Sequence, residues 1–396
     1  MVKIETLYFL SSFQLNMIRV GFGVTVLARC LDTHGVDGIG SYTLELMKRL
    51  KDKDEVHLTP MSFGYTLPPI NGVSYNILQC GHFPSSAVFS ALTGLSFSKT
   101  HKLSRKIDLM HSTDHLIPKL RKVPVVATIM DAIPLSHPEW VKLNYRVMKN
   151  VLWKRSAQWA DHVITISEYS KQEIISHFDL SAEKISVIPL GVDERWFHPV
   201  GGDVFEKTLR FYGLPKRFFL FVGTLQPRKN IARVIDAHRS LPCYISNEIP
   251  LVIVGRAGWQ CDEIVASLTS GSYGKSIVWL KHLPDSDLLT IVKAATALVF
   301  PSLSEGFGLP VLEAFAAGTA VITSNCTSLP EVAGDAALLV DPFDTVSIAE
   351  AMLSLVEQSG LADVLIKKGN MRAKLYSWDS TVSTTLGVYK HVLGRT

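Results

Sequence analysis

Short apolar runs alternate with amphipathic stretches along most of the chain. The apolar runs are rich in β-branched residues, which is typical of strands, and the stretches between them have the residue spacing of helices. Strands are predicted at 19–27, 73–78, 107–110, 124–129, 162–166, 185–188, 218–222, 250–254, 277–280, 297–300, 320–323 and 337–340. Helices are predicted at 41–50, 170–177, 231–238, 286–294, 310–317 and 345–356. Because strands that alternate with helices are joined by right-handed crossovers, the sheets should be parallel and covered on both faces.

The alternation occurs twice, once on each side of a turn-rich stretch at 191–215. The chain has 396 residues, whereas one hydrophobic core usually supports about 200–250. We therefore predict an α/β fold of two doubly wound, Rossmann-like domains, at 1–195 and 196–376. Residues 1–16 precede the first apolar run and are expected to be an N-terminal extension.

Composition excludes several classes of protein without naming one. The five cysteines are odd in number and form no C-x-x-C pair, so a cytoplasmic location is expected, without a disulfide framework or a structural zinc site. No apolar run reaches the length of a transmembrane helix, and no signal peptide is expected. The net charge of +4 is too small for a protein that coats nucleic acid, so no nucleic-acid partner is expected.

The positive charge is concentrated in the first half of the chain. Seven bases lie between Lys99 and Lys122, against two acids. Such a patch could bind anionic lipid headgroups or a phosphorylated acceptor, or it could be an ordinary solvated surface. The segment 140–159 has apolar residues on one helical face and bases elsewhere, so it could lie on an anionic bilayer or pack into the core.

Open α/β sheets bind ligands beyond the carboxyl ends of their strands, so the residues that follow each strand are the first candidates for a site. After the first predicted strand, the segment 35–41 (Gly-Val-Asp-Gly-Ile-Gly-Ser) leads into a helix. Gly38 and Gly40 would let the backbone approach a phosphate at the helix N-terminus, although a tight turn between strand and helix explains the same pattern.

A second glycine-containing loop follows the strand at 218–222. It reads Gly-Thr-Leu-Gln-Pro-Arg-Lys-Asn at 223–230 and again opens a helix. Acidic residues are the favourable choice in the first turn of a helix, so Arg228 and Lys229 stand against the helix dipole. That placement favours a functional role, and two cations at a helix N-terminus suit a diphosphate.

The most specific motif follows the strand at 297–300. It reads Ser-Glu-Gly-Phe-Gly-Leu-Pro-Val-Leu-Glu at 304–313, with Glu305 in a glycine-rich loop and Glu313 in the next helix. Pro310 suits the first turn of that helix, where no amide hydrogen is needed. Carboxylates accept hydrogen bonds from vicinal diols, so the two glutamates could hold two sugar rings of one ligand.

Together these motifs resemble the retaining GT-B glycosyltransferases of the large group 1 family, family 4. The resemblance rests on the E-x7-E run, the loop at 223–230 and the glycine turn at 38–40. Further matching segments lie at 160–167, 191–193 and 329–335, in the family's usual order. The segments 111–115 (His-Ser-Thr-Asp-His) and 130–135 (Met-Asp-Ala-Ile-Pro-Leu) resemble the mannosyltransferase-B-like branch, which builds bacterial surface polysaccharides such as lipopolysaccharide.

The resemblance implies a GT-B fold in which the nucleotide-sugar lies in a central cleft, mostly on the C-terminal domain. Glu305 matches the carboxylate that binds donor-sugar hydroxyls, and Glu313 matches the one that binds ribose. Arg228 and Lys229 match the bases that neutralise the leaving diphosphate. Further donor contacts are implied for Gly38, Gly40, Gly223, Gly255, Gly306, Phe307, Gly308 and Leu309, and the wall around the base for Lys281, His282 and Leu283. The last helix, at 377–396, is implied to cross back to the N-terminal domain.

The sequence departs from the family pattern in the N-terminal domain. Many relatives have an H-x-H near the reacting centre, where this chain has His-Ser-Thr-Asp-His at 111–115. We take Asp114 and His115 as the candidates for the group that faces the sugar. His111 and Asp131 stay open as alternatives.

The resemblance also implies the reaction. Retaining transferases of this fold need no protein nucleophile, and no D-x-D that resembles a metal site stands in the N-terminal domain, so we expect neither a metal nor a cofactor. The expected reaction moves a hexose, in the first place an α-mannosyl group from GDP-mannose, to a saccharide or a polyprenyl-diphosphate-linked acceptor. The enzyme would then work in the cytoplasm, with peripheral contact to the inner face of an anionic plasma membrane.

Other functions stay open at this point. A UDP-sugar donor, or a sugar-nucleotide epimerase with the same fold, would use the same motifs. A dinucleotide oxidoreductase is disfavoured because the first strand is not followed by G-x-G-x-x-G. A non-catalytic sugar-binding protein would not need Arg228 and Lys229 beside a sugar-binding loop.

Overall fold

The computed structural model describes residues 17–33, 38–70, 75–97, 100, 103–140 and 146–395. They form two compact units. The first contains the described residues up to Ser136, those from 146 to Pro189, and those from Trp378 onward, while the second contains 137–140 and Leu190–Ser377. The first unit therefore gives way to the second a few residues before position 195. The predicted extension at 1–16 lies outside the described residues.

The first unit is built on a seven-stranded parallel sheet in the order β3-β2-β1-β4-β5-β6-β7. Its strands are β1 (Ile18–Gly23), β2 (Val56–Ser62), β3 (Leu78–Gln79), β4 (Leu109–Ser112), β5 (Val125–Thr128), β6 (His162–Thr165) and β7 (Ile185–Val187). Its helices before the second unit are α1 (Thr25–Thr33), α2 (Gly38–Lys51), α3 (Phe83–Thr93), α4 (Ile133–Ser136), α5 (Arg146–Ala157) and α6 (Glu168–Phe178). Every residue of β4, β5 and β6 is buried, because the central strands of a parallel sheet are covered on both faces.

The second unit has a six-stranded parallel sheet in the order β10-β9-β8-β11-β12-β13. Its strands are β8 (Phe219–Val222), β9 (Leu251–Val254), β10 (Ile277–Leu280), β11 (Ala297–Phe300), β12 (Ala320–Ser324) and β13 (Leu338–Val340). Its helices are α7 (Gly202–Phe211), α8 (Ile231–Ser240), α9 (Cys243–Glu248), α10 (Asp262–Ser270), α11 (Asp285–Ala294), α12 (Leu309–Ala317), α13 (Leu329–Ala333), α14 (Thr345–Glu357) and α15 (Leu361–Ala373). All six strands predicted for this half are confirmed, and the prediction of two parallel α/β sheets is correct.

The last helix, α16 (Trp378–Val392), belongs to the first unit. It packs against α2, where the rings of Trp378 and Tyr42 lie 6.4 Å apart. The hydroxyl of Tyr389, which is fully buried, lies 2.6 Å from Nδ1 of His111 at the end of β4. The chain thus returns to the sheet of its first unit through a buried polar contact.

The predictions for the first three strands of the first unit are wrong in whole or in part, and two of the errors have a physical cause. The strand predicted at 19–27 ends at Gly23, and its apolar second half forms the start of the buried helix α1, since a short apolar run does not distinguish a strand from a buried helix. Gly38 therefore follows a helix and not a strand. Strand β2 was not predicted, and it contains Pro60, which cannot donate a hydrogen bond within a sheet. It is accommodated because β3 pairs only with Met61 and Ser62, beyond the proline. Of the strand predicted at 73–78, only its last residue is in β3, and 73–74 lie outside the described residues.

Candidate active site

The loops after β8 and β11 meet because these strands are neighbours in the sheet of the second unit. They pair in parallel, Ala297 with Phe219 and Leu298 with Leu220, so their carboxyl ends lie at the same edge. The amide of Leu303, in the loop after β11, donates to the carbonyl of Arg228, in the loop after β8, over 2.8 Å. Two motifs that are far apart in sequence are therefore joined directly.

Arg228, Lys229 and Glu305 form an ion cluster at this edge. Arg228 Nη1 lies 2.7 Å from Glu305 Oε2, and Lys229 Nζ lies 2.7 Å from Glu305 Oε1. The same Nη1 of Arg228 donates to the Ser304 carbonyl over 2.6 Å, and Lys229 Nζ stands 4.7 Å from the centre of the Phe300 ring. All three ionic side chains are largely buried, so they are shielded from water. The sequence prediction named these three residues, and the structure brings them together.

The cluster carries one net positive charge at neutral pH. Burial alone would raise the pKa of Glu305, but the positive charges of Arg228 and Lys229 outweigh this effect and hold the pKa at about 2. Glu305 is therefore a carboxylate, and the net positive charge of the cluster can attract a bound anion. Two cations fixed in a poorly hydrated site suit a phosphate group.

The loop at 305–308 is held from behind by α13. Ser328 Oγ lies 2.8 Å from the Glu305 carbonyl and 2.9 Å from the Phe307 carbonyl. Gly308 has φ 114°, and a Cβ added there would lie 2.7 Å from Leu329 Cδ2, so glycine is required on both counts. With their carbonyls turned toward α13, the loop residues present amides at the start of α12. Among the residues that the structure describes, the amides of Phe307, Gly308 and Leu309 have no hydrogen-bond acceptor.

Gly223 and Gly255 allow the loops after β8 and β9 to approach closely. Their φ angles are 152° and 154°. A Cβ on Gly255 would lie 1.9 Å from the Gly223 carbonyl oxygen, which excludes every other residue at this position. The carbonyl of Gly255 accepts a hydrogen bond from Trp279 Nε1 over 2.9 Å, so β10 is tied to the same edge.

Glu313 lies on α12 in a different environment from Glu305. Burial of its carboxyl group raises the pKa to about 8, and the negative charges of Asp285 and Asp193 act in the same direction. The positive charge of Arg195 and a hydrogen bond from Trp196 lower the pKa but do not outweigh these effects. Glu313 is thus mostly protonated at neutral pH before any ligand binds.

The predicted base-binding segment follows β10. Leu283 is buried, while Lys281 and His282 are exposed, and Lys281 Nζ lies 5.2 Å from the centre of the Trp279 ring. Trp279 was not among the predicted site residues, although it links this segment to Gly255 through its indole nitrogen.

Two family models match most of the chain. Residues 206–372 match glycosyl transferases group 1, and residues 36–196 match glycosyltransferase family 4. The O-antigen chain mannosyltransferase RfbU of Salmonella typhimurium is 30% identical over 275 residues, which are 69% of this chain and 70% of that protein. The chain belongs to the group 1, family 4 glycosyltransferases.

A second relative agrees with this assignment, and a solved structure has the same fold. The O-antigen chain mannosyltransferase B of Escherichia coli is 29% identical to this glycosyltransferase over 366 residues, which are 89% of this chain and 96% of that protein. The structure of sucrose-phosphate synthase from Thermosynechococcus elongatus matches with a TM-score of 0.75 at 18% identity, covering 95% of this chain and 99% of that one. The predicted GT-B fold and the predicted family are confirmed.

In the first unit of the glycosyltransferase, the predicted polar residues differ widely in exposure. Asp114 is buried, and its Oδ1 accepts the amide of Leu116 over 2.7 Å, as in an Asx turn. His115 is exposed and lies edge-on to Trp153 at 6.2 Å. Asp131 is partly exposed, and its Oδ1 accepts the amide of Ile133 over 3.1 Å. Their part in catalysis stays a prediction.

His111 is a structural residue and not a candidate for sugar contact. It has no exposed surface, its Nδ1 lies 2.6 Å from the Tyr389 hydroxyl, and its Nε2 lies 2.8 Å from Thr128 Oγ1. Burial lowers the pKa of His111 to about 3, so the ring is neutral. The alternative that His111 faces the sugar is therefore wrong, because both ring nitrogens are used inside the core.

Gly38 and Gly40 lie at the start of α2. Gly38 is exposed and Gly40 is buried. The three residues before Gly38 in the predicted turn lie outside the described residues. A phosphate contact at these glycines stays a prediction.

Two residues that support the site were missed by sequence reasoning. Asn230 has φ 62° and is buried, and its amide nitrogen donates to the carbonyls of Pro301 and Pro342 over 2.9 and 2.7 Å. It thereby ties the loop that carries Arg228 and Lys229 to the loop after β11. Ser328, which holds the loop at 305–308, was also missed. An asparagine directly before a helix signals a cap, but its distant partners leave no local pattern in the sequence.

No group of three or more metal-ligating side chains occurs among the described residues. No helix within the described ranges is both long enough and apolar enough to span a bilayer.

Proposed function

We propose that this glycosyltransferase moves a mannosyl group from GDP-mannose to a growing saccharide chain, with retention at the anomeric carbon and without a metal ion. The observation that carries the proposal is the buried cluster of Arg228, Lys229 and Glu305 beside the amides at the start of α12. The choice of mannose is supported by the two bacterial relatives, whose names are O-antigen chain mannosyltransferases. The proposed product is accordingly a surface polysaccharide.

The cluster supports a reaction driven by electrostatic stabilisation of the leaving group. As the bond between the anomeric carbon and the phosphate oxygen breaks, negative charge develops on the diphosphate. Arg228 and Lys229 stabilise that charge without reorganisation, because Glu305 already holds them in place. The amides of Phe307, Gly308 and Leu309 add dipoles of the favourable sign at the N-terminus of α12.

Retention follows if the acceptor attacks from the face that the diphosphate leaves. The acceptor oxygen bonds to the anomeric carbon, and its proton passes to the departing phosphate oxygen. No protein nucleophile is needed in this scheme. Glu305, with its pKa at about 2, serves as a hydrogen-bond acceptor for sugar hydroxyls and not as a proton donor.

Glu313 is proposed to bind the ribose of the donor. Two ribose hydroxyls that donate to its carboxylate would favour the charged form. Because the pKa of Glu313 is about 8 beforehand, binding of the nucleotide near neutral pH would release a proton from this group.

The acceptor is proposed to be a saccharide carried on polyprenyl diphosphate at the inner face of the plasma membrane. A UDP-sugar donor and a sugar-nucleotide epimerase are the competing functions, and both have distinct products. We expect the enzyme to act in the cytoplasm, peripherally attached to the membrane.

The test is an assay of the full chain with a panel of GDP- and UDP-sugars, with and without saccharide acceptors. Transfer from GDP-mannose in the presence of a chelator, giving an α-linked product by nuclear magnetic resonance, is the expected result. Product formation from UDP-sugars only, or a β-linked product, would contradict it, and a new sugar nucleotide without acceptor would indicate an epimerase.

A matched pair of lysine variants tests the role of the cluster. Lys229→Ala should lower turnover by about 100-fold or more, because it removes a preorganised charge at the leaving group. Lys368→Ala is the control, since Lys368 forms a 2.8 Å ion pair with the exposed Asp335 in the same unit. Equal turnover of the two variants would refute the proposed role of Lys229.

A further inference from the structure

One stretch of the first unit has an unusual distribution of charge. The chain contains no Asp or Glu between Glu55 and Asp108. The helix α3, which lies in this stretch, reads Phe-Pro-Ser-Ser-Ala-Val-Phe-Ser-Ala-Leu-Thr and has no charged residue at all. A surface helix of a globular protein normally carries charged residues on its outer face, so the outer face of α3 requires an explanation.

The apolar residues of α3 point both inward and outward. Phe83 and Ala87 are buried in the core of the first unit. Val88, Phe89 and Leu92 are exposed, and the exposed fraction of Leu92 is 82%. Leu95, the second residue after the helix, is also exposed. The inner face packs the helix onto the core, whereas the outer face leaves apolar surface exposed.

The neighbouring helix α5 extends this surface. The two helices are in contact, and α5 exposes Val147, Met148 and Val151, of which Val147 is 75% exposed. Leu152 and Trp153 on the same helix are turned inward and pack against the core. We call the outward apolar residues of the two helices the α3–α5 face; its members are Val88, Phe89, Leu92, Leu95, Val147, Met148 and Val151.

Bases lie on both sides of the α3–α5 face. The amide of Phe97, just after α3, donates to the carbonyl of Lys119 over 3.0 Å, so the basic segment at 119–122 lies beside the end of that helix. Arg121 and Lys122 in this segment are exposed. On the other helix, Lys149 and Arg155 are exposed next to the apolar residues. An apolar centre with positive charge around it is complementary to a bilayer with anionic headgroups.

We propose that the α3–α5 face binds an anionic lipid bilayer, with its apolar side chains in the interfacial region and its bases at the headgroups. This surface belongs to the first unit, whereas the ion cluster belongs to the second. The inference rests on the membrane attachment in the proposed function, and it names the surface that provides this attachment. It also corrects the emphasis of the sequence prediction, which considered only 140–159 and the bases between Lys99 and Lys122. The uncharged helix α3 adds Val88, Phe89 and Leu92 to the exposed apolar surface, whereas Leu152 of α5 packs against the core.

The experiment is flotation of the full chain with vesicles of phosphatidylcholine, with or without anionic phosphatidylglycerol, and without any acceptor. The protein should float with the anionic vesicles only and should be released at high salt, where charges are screened. The double variant Phe89→Ser/Leu92→Ser should bind at least about tenfold more weakly, because two apolar side chains no longer leave water. Absence of flotation of the natural protein, or equal flotation of the variant, would overturn the proposal.

A second double variant serves as the matched control. Phe343 and Val346, in the second unit, are 63% and 62% exposed, so Phe343→Ser/Val346→Ser removes apolar surface of the same kind elsewhere. We expect this control to float like the natural protein. If both double variants lose binding equally, the α3–α5 face is not the binding surface.

Sedimentation and an assay with a soluble acceptor distinguish membrane binding from self-association and from loss of activity. The molecular mass from sedimentation should be the same for the natural protein and for Phe89→Ser/Leu92→Ser. A dimer formed by the natural protein alone would assign this face to self-association and overturn the proposal. Transfer to a soluble saccharide should be unchanged in this variant, because the altered residues are not part of the candidate active site. Failure of membrane binding and failure of the proposed reaction are therefore observed independently.

Discussion

Glu305→Gln is the most informative single change in the ion cluster. The substitution keeps the shape of the side chain but removes the charge that lies between Arg228 and Lys229. The local net charge then rises from one to two positive charges. Stability and turnover should both fall, whereas binding of the product GDP should become tighter.

The effect on stability is obtained from the pKa of the carboxyl group. The pKa of Glu305 falls from an ordinary value of 4.5 to about 2 in the folded protein, which corresponds to about 3 kcal/mol of stability at neutral pH. Because the folded value is the lower one, this contribution is present above pH 4.5 and is lost as the pH falls toward 2. Glu305→Gln should therefore be less stable by about 3 kcal/mol at pH 7, and the difference should shrink in acid.

The assay is urea unfolding at pH 7 and at pH 3 for the natural protein and the variant. Glu45→Gln is the control, since Glu45 also pairs with a lysine and an arginine, Lys48 and Arg49, but on the surface of a helix. These surface ion pairs should together contribute less than about 1 kcal/mol to the free energy of unfolding. Equal losses of unfolding free energy for Glu305→Gln and Glu45→Gln would refute the conclusion that the buried ion pairs stabilise the fold more than surface ion pairs do.

Ligand binding supplies the second arm of this prediction. GDP, which has phosphates but no sugar, should bind Glu305→Gln more tightly by about 3- to 10-fold, because a negative charge near the phosphates is gone. Turnover should fall, because the acceptor for the sugar hydroxyls is weakened. Unchanged GDP affinity together with unchanged turnover would show that Glu305 acts on neither part of the donor.

Three further predictions concern other residues. The stability of the natural protein should fall as the pH rises from 4.5 to 8, relative to that of Glu313→Gln. The raised pKa of Glu313 means that the folded state holds a proton that the unfolded state releases. Urea unfolding at pH 6 and pH 8.5 measures this, and an equal change in stability for the two proteins would contradict it. Ser328→Ala should lower turnover about tenfold, because Ser328 holds the loop at 305–308. Thr384→Ala is the control, because the Thr384 hydroxyl is exposed and bonds within its own helix, so turnover should not change. Steady-state kinetics of the two variants tests this prediction. Tyr389→Phe should destabilise the protein by about 1–3 kcal/mol because it leaves Nδ1 of His111 buried without its partner, and thermal unfolding that matches the natural protein would contradict this account.

Much of the second unit could be predicted from the sequence because its signals are local. Strands such as β9 and β11 are uninterrupted apolar runs, since both faces of a parallel sheet are covered. The glycines at 308 and 255 and the pair Arg228 and Lys229 likewise stand out from their immediate neighbours. Parallel order then places the loops after neighbouring strands at one edge, which is why Arg228, Lys229 and Glu305 could be assigned to one site.

The first unit was harder to predict because its decisive features depend on distant partners. The apolar run after Gly23 is helical because of where it is buried, and β2 tolerates Pro60 because its neighbour β3 is short. His111 resembled a site residue by its position after a strand. Its burial and its hydrogen bonds to Thr128 and to Tyr389, 278 residues away, show that it is part of the core.

By itself, the sequence determined the two α/β sheets, the glycosyltransferase motifs and the identity of the charged residues in the site, because each is encoded within a short segment. The tertiary structure alone decided which charges are neutralised by one another, which polar groups are buried, and which apolar residues remain outside the core. Glu305 and Glu313 illustrate the difference, since two glutamates from one motif have pKa values of about 2 and about 8. Their chemistry differs because burial and neighbouring charge, which set a pKa, come from residues that are adjacent only after folding.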